Sequence, residues 1–500
     1  MRRNAFRAIY YVIFTGIFSQ ANCQTQQWIS LSDSQIEILT SNSESEGQGV
    51  FQVIENAREF FESVLPAKHK QPVRIFAFQS KNEFAPYRLN SNAFGHFLHS
   101  PKCDYIALED IKPEHYEAAL HEYTHYVIKQ ADFHLPTWLN EGLADLYSSL
   151  ESNGQQAIIG RLLPGRMFVL EGNPLMDLKP FLKATLNSPY YGEGDKISIF
   201  YAQSWALTHM LALDPPYSAK FSRFLQTVSS GVPSPDALLQ VYGRNLQQVE
   251  TDLKQYLPRM AANTASYPVQ FRKSSIQPQV KALSNHEKML ALADLLAAHP
   301  ATASKALQTL TELAKENPDN PLIEEKMGYA AWNMNRVDDA RSYFAHAIEH
   351  GSHDSDMIYR YAIMQKQAGA SDKEVIRLFE RVLELSPDFD DARFHLAILE
   401  FNGKRFSTAA QLLSKLSTVK DEWAYNYYSI MTYCDVESGH IEEAKIFSEK
   451  ARSTAQTAGE KSQADRLFLY LQAQKPSINH GVTLASAQDQ HMSGKDKQSF

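Results

Sequence analysis

The stretch HEYTH, His121–His125, followed sixteen positions after its second histidine by Glu141 within LPTWLNEGLADLYSSL, Leu135–Leu150, decides how the first half of this 500-residue chain is read. On an α-helix, residues i and i+4 point the same way, so His121 and His125 can present both imidazoles to one metal ion while Glu122 reaches a metal-bound water. The flanking residues predict that helix. Pro113 suits a first helical turn, and Glu114 and Glu117 complement the positive end of the helix dipole. Tyr116, Leu120, Tyr123 and Val127 recur at steps of four, three and four, the apolar stripe of a helix packed on a core.

A catalytic zinc takes three protein ligands and keeps one position open for water. Glu141 is the candidate third ligand. Pro136 can start a second helix, Leu139, Leu143, Leu146 and Leu150 give it an apolar stripe, and a turn over Asp132–Leu135 folds it back antiparallel to the first. Glu141 then faces the two histidines. Asp145, one turn further on, can accept a hydrogen bond from the free ring nitrogen of a ligand histidine and fix its tautomer. Gly142 allows two backbones to approach closely.

HEYTH followed by PTWLNEGLAD resembles the gluzincin class of zinc peptidases, and especially the peptidase-MA-like proteins, whose pattern is His-Glu-x-x-His and then Pro-x-Trp-x-x-Glu-Gly-x-Ala. The resemblance spans about residues 26–260, with its specific part at 117–147. It implies an α+β zincin-like catalytic domain: a small sheet, the motif helix and a mainly helical C-terminal part. It also implies Zn2+ held by His121, His125 and Glu141, with Glu122 as general base and Asp145 behind a ligand. The implied reaction is hydrolysis of internal bonds in a peptide or protein substrate. The chain departs from thermolysin and the large aminopeptidases in its shorter gap between second and third ligand. It also lacks a Gly-x-Met-Glu-Asn sequence to anchor a substrate amino terminus.

The run SIFYAQSWALTHML, from Ser198, reads as a further helix with Tyr201, Ser204 and His209 as candidates to face the cleft. Tyr201 is the candidate oxyanion donor. Phe200, Trp205, Leu207 and Leu211 on the same run equally suit a packing helix. Tyr190, Tyr191 and Gly192 are a candidate loop over the site. PVRIFAFQS from Pro72 and CDYIALED from Cys103 read as strands, and Gln48–Leu65 as a helix upon them. By the resemblance, Cys103–Asp110 is the edge along which a substrate backbone pairs.

Residues 1–23 have the tripartite form of a secretory signal: Arg2 and Arg3, an apolar stretch from Ala8 to Phe18, then polar SQANC. Eleven apolar residues are too few to span a bilayer and no later stretch is long enough, so the mature chain is expected to be exported, periplasmic or secreted, with an uncleaved anchor as the alternative. Cys103 and Cys434, alone after Cys23, give no disulfide framework and read as core thiols. A net charge of −8 without a dense basic run argues against nucleic acid as partner.

The second half repeats with a period of about 34 residues, the tetratricopeptide length. In Pro321–Asp354, Gly328, Ala340 and Ala347 occupy positions 8, 20 and 27, where two helices of a repeat cross, and Phe344 fills position 24. Ala306, Leu310 and Pro318 fit the preceding unit; Ala362, Phe379, Val382 and Pro387, then Ala397, Ala409 and Leu413, and finally Ala444 and Ala451 follow. Such an array resembles tetratricopeptide superhelices that bind peptides and proteins on their concave face. The expected layout is a signal at 1–23, a catalytic domain at 24–262, a linker at 263–282, an all-α repeat domain at 283–475 and a disordered tail at 476–500. Two functions follow: an exported zinc peptidase whose repeats recruit substrate or partner, or a catalytically silent zincin fold within a protein-binding scaffold.

Overall fold

The computed structural model describes residues 27–65, 71–89, 93–100, 103–185, 188, 195–269, 271 and 277–473. The expected signal segment, the Tyr190–Gly192 loop and the tail lie outside these.

The first half is built on a six-stranded mixed sheet and the second on helices alone. β1 (Ile29–Ser32) and β2 (Ile36–Thr40) form an antiparallel hairpin. The Oδ1 of Asp33 nucleates its turn by accepting from the backbone N–H of Gln35 and Ile36, both at 2.8 Å. β3 (Val73–Ala77) runs parallel to β2, reached through α1 (Glu44–Val64), whose start is fixed by a capping box between Ser43 and Glu46. β4 (Gly95–Leu98) is antiparallel to β5 (Asp104–Leu108), which is parallel to β3. The strand order is β4-β5-β3-β2-β1-β9, where β9 is Gln279–Ala282. β6 (Glu151–Ser152), β7 (Gln156–Ile159) and β8 (Ala265–Pro268) make a second, three-stranded sheet.

Both faces of the large sheet are covered. On the front, Ile38, Val73, Ile75 and Ile106 pack against Phe51, Ile54 and Phe60 of α1 and against Leu120, Tyr123 and Val127 of α2 (Tyr116–Gln130). α2 ends at a turn in which Asp132 adopts a left-handed φ of 59°, and α3 (Thr137–Ser148) returns against it. α4 (Pro164–Gly172) and α5 (Asp195–Leu213) follow, and α5 packs along α3 through a core of Trp138, Leu143, Phe200, Trp205 and Leu207.

Two expectations require correction. The substrate edge expected at Cys103–Asp110 is an interior strand, because β4 lies outside β5; the open edge is β4, too short and too polar in GHFL to be read as a strand. The stretch 263–282, expected as a linker, contributes to both sheets. It carries β8 and β9 (Gln279–Ala282), and β9 adds antiparallel to β1. All four β9 residues are exposed, so no alternation of apolar residues marks it in sequence.

The repeats are present as helical hairpins: α6 (Asn285–Ala297) with α7 (Ala303–Glu316), α8 (Pro321–Asn333) with α9 (Val337–Glu349), α10 (Ser355–Gln367) with α11 (Asp372–Leu385), α12 (Asp390–Asn402) with α13 (Phe406–Leu413), α14 (Ala424–Glu437) with α15 (Ile441–Thr454), then a closing α16 (Ala458–Ala473). Ala306, Ala340, Ala347, Ala362, Ala397, Ala409, Ala444 and Ala451 are all fully buried. A Cβ on Gly328 would stand 2.3 Å from the Phe344 ring, which is why that crossing takes glycine. α6 also forms the back layer of the sheet: Leu292 and Leu295 join Trp28, Leu39, Phe76 and Tyr105 in one apolar cluster. Asp294 beside them meets Arg74 at 3.2 Å, Lys326 at 2.7 Å and the Tyr105 hydroxyl at 2.9 Å. Among the described residues, no helix is long and apolar enough to cross a membrane.

Candidate metal centre

α2 and α3 bring His121, His125 and Glu141 together. The two Nε2 atoms lie 3.2 Å apart, and the Glu141 carboxylate oxygen lies 3.4 Å from that of His121 and 3.6 Å from that of His125. Zinc bonded tetrahedrally at about 2.0–2.1 Å requires donors about 3.3 Å apart, so this triangle has the size of one face of the coordination shell. Two imidazole nitrogens aimed at each other need a shared proton or cation between them. Among the described residues this is the group of three His, Cys, Asp or Glu side chains so arranged.

The outer ring nitrogens are held in place. Asp145, on α3 one turn after Glu141, faces His121 Nδ1 at 2.9 Å, and the side-chain oxygen of Asn140 faces His125 Nδ1 at 3.3 Å. Donation from each Nδ1–H leaves each Nε2 lone pair directed inward. Asp145 is gripped from its far side by Arg166 of α4, at 2.7 and 3.1 Å. Burial opposes charge on Asp145, yet Arg166 and then His121 hold its carboxyl below the usual carboxylate range. Burial likewise opposes protonation of His121, but Asp145 and Glu141 carry its imidazole up to about 10. Burial also works against the charge of Glu141, which the two histidines overcome to set it well below the ordinary range. The pocket is thus built to hold positive charge at its centre.

Glu122 points from the same helix turn toward β4. Burial raises its carboxyl above the ordinary value, opposed by His121 and His125, and it accepts a hydrogen bond from the Phe97 backbone N–H. Gly95 leaves little room where it passes: a Cβ there would come within 3.1 Å of the Glu122 side chain and 3.0 Å of the Ala107 carbonyl. Because the Phe94 carbonyl accepts from the Glu109 N–H, residues 94, 96 and 98 bond inward to β5. Gly95 and Phe97 therefore turn their backbone groups away from β5, toward the open edge and Glu122.

The three candidates on α5 do not share one fate. Tyr201 packs against Arg166, whose guanidinium sits 4.9 Å over its ring. Ser204 is fully buried against α3, and its carbonyl oxygen would lie 2.4 Å from a Cβ on Gly142. The close backbone approach expected at Gly142 is therefore to α5. His209 is a core residue, bonded to the Tyr256 hydroxyl at 2.7 Å and the Gly160 carbonyl at 2.9 Å. Cys103 and Cys434 are free thiols, half-buried and buried, and burial pushes them up to about 11 and about 12. Arg166, Asn140 as the partner of His125, and β4 were not assigned from sequence; only Asn140, one residue before Glu141, carried a local signal.

No protein-family model matches the chain, and no curated protein matches it. Parts of the chain are similar to solved structures. YrrB, described as a TPR protein with an unusual peptide-binding site, is 16% identical over 36% of this chain and 90% of its own, with a TM-score of 0.31. MamA from Desulfovibrio magneticus RS-1 is 16% identical over 37% of this chain and 98% of its own, with a TM-score of 0.28. TTC0263, a thermophilic TPR protein of Thermus thermophilus, is 13% identical over 37% of this chain and 99% of its own, with a TM-score of 0.23.

Proposed function

We propose that the chain is a zinc-dependent peptidase of the gluzincin kind that cleaves internal bonds of an extended polypeptide, with its tetratricopeptide-like array gathering the substrate or a protein partner. The basic and apolar N-terminal pattern supports action outside the cytoplasm. The observation that carries the reading is the donor triangle of His121, His125 and Glu141 with the Glu122 carboxyl one residue from its first corner.

Zinc held by those three residues would polarise a substrate carbonyl and lower the pKa of a bound water to about 7. Glu122 takes the proton of the attacking water and returns it to the leaving nitrogen. The Phe97 N–H orients that carboxyl. The outward backbone groups of Gly95 and the Phe97 carbonyl offer a ladder for an extended substrate, which adds to β4 as a further strand. Asp145 and Asn140 keep the two imidazoles in their metal-binding tautomer. Tyr201, beside Arg166, is the candidate to donate to the developing oxyanion.

Glu122→Gln is expected to keep zinc and to lose hydrolysis of an unfolded protein substrate by at least about 100-fold, the usual minimum for a positioned general base. Undiminished cleavage by that variant would reject the mechanism. The competing reading is a silent zinc fold in a binding scaffold; a zinc-loaded wild-type chain that cleaves no peptide would establish it instead.

A further inference from the structure

We propose that the cleft where the sheet meets the helical array binds the same polypeptide that is cleaved, a few residues away from the scissile bond, by receiving one of its apolar side chains. The proposal rests on the peptidase reading.

β4 leads from one place to the other. Its Gly95 and Phe97 lie against Glu122, and two residues past its end Ser100 lines a cleft of about 590 Å³, counting its open mouth. The opposite walls are Lys326, Tyr329 and Trp332 of α8 and Arg360 of α10, and Tyr105 of β5 forms part of the floor. From Gly95 to Ser100 is five residue steps, about 17 Å of extended chain. A polypeptide added along the edge of β4 and continued a few residues past Leu98 comes within reach of the cleft.

The chemistry of the walls selects the ligand class. Lys326 is paired with Asp294 at 2.7 Å, and Arg360 with Asp356 at 2.8 Å. The Tyr329 hydroxyl donates to the same Asp356 at 3.0 Å. Charges so neutralised within the wall attract neither an acidic nor a basic ligand strongly. What stays open is Trp332, 40% exposed at the mouth, a large aromatic surface on which an apolar side chain is desolvated. The Asn333 side chain donates to the Ala297 carbonyl at 2.7 Å, so the two helices flanking that ring are tied together and the cleft is preformed.

The test uses the full chain loaded with zinc and two fluorogenic peptides sharing one scissile sequence. One ends two residues either side of the bond; the other continues about six residues further each way with leucines. The long peptide is expected to be cleaved with kcat/KM at least about tenfold higher, the worth of one well-buried apolar anchor. Trp332→Ala should raise KM about tenfold for the long peptide, leave its kcat unchanged and leave the short peptide untouched, while Trp332→Phe should behave as wild type. Equal kcat/KM for both lengths, or an unchanged KM in Trp332→Ala, would overturn the cleft as a substrate site while leaving the peptidase intact. A zinc-loaded wild type that cleaves neither peptide would overturn the peptidase reading and this one with it.

Discussion

At the scale of residues, the centre is a chain of contacts that runs Arg166, Asp145, His121 and then the shared focus of three donors. Its parts were unequally visible in sequence. His121, Glu122, His125, Glu141 and Asp145 could be placed because helical periodicity fixes which way each points. Arg166 is 21 residues from Asp145 and arrives through the fold alone. Replacing Asp145 with Ala should lower zinc affinity by about 10- to 100-fold, as for other residues that orient a ligand imidazole. Competition with a chelator measures it, and an unaltered affinity removes Asp145 from that role. Gly142→Ala puts a methyl 2.4 Å from the Ser204 carbonyl and should destabilise the chain by about 1–3 kcal/mol or more. A Tm equal to wild type would contradict that close crossing of α3 and α5.

At the scale of elements, α1, β3, β5, α2, α3 and the repeat helices follow from apolar residues that each face a core. Of the strands not read from sequence, β1, β2 and β6 to β8 among them, β4 carries four residues with His96 and Phe97 only half-buried and β9 is exposed throughout, whereas β2 is five residues long and mostly buried. Strands such as β4 and β9 are specified by their neighbours and leave little local pattern. The elements also show why the halves belong together. Without β9 and α6, the back of the sheet would expose Leu39, Phe76, Ala107 and Leu98. A fragment of residues 27–262 is therefore expected to bind a hydrophobic dye and to unfold without cooperativity, whereas residues 27–316, which restore β9, α6 and α7, should melt in a single transition. A cooperative melt for the shorter fragment would show that the repeat half is an independent appendage.

At the scale of the whole molecule, the surroundings of three histidines in separate parts of the fold disfavour a charged ring. Desolvation of the ring holds His96, His209 and His395 down to about 4. Once unfolded, each takes up a proton near pH 6.5, so between about 6.5 and 4 the unfolded chain binds more protons than the folded one. Stability should therefore fall as pH is lowered through that window, by up to about 1.4 kcal/mol per pH unit for each histidine. The urea midpoint followed from pH 7.5 to 4.5 measures this, and His209→Gln should flatten the dependence. A midpoint independent of pH would deny that these rings are buried uncharged.

The claim on which site, substrate edge and cleft all depend is that one zinc ion is gripped between α2 and α3. Metal analysis of the purified full chain tests it most directly. One equivalent of zinc per chain in the wild type and in Glu122→Gln, and none in His125→Ala, is the expected result. A wild-type chain that holds no zinc after exposure to it, or a His125→Ala chain that holds as much as the wild type, would contradict the account.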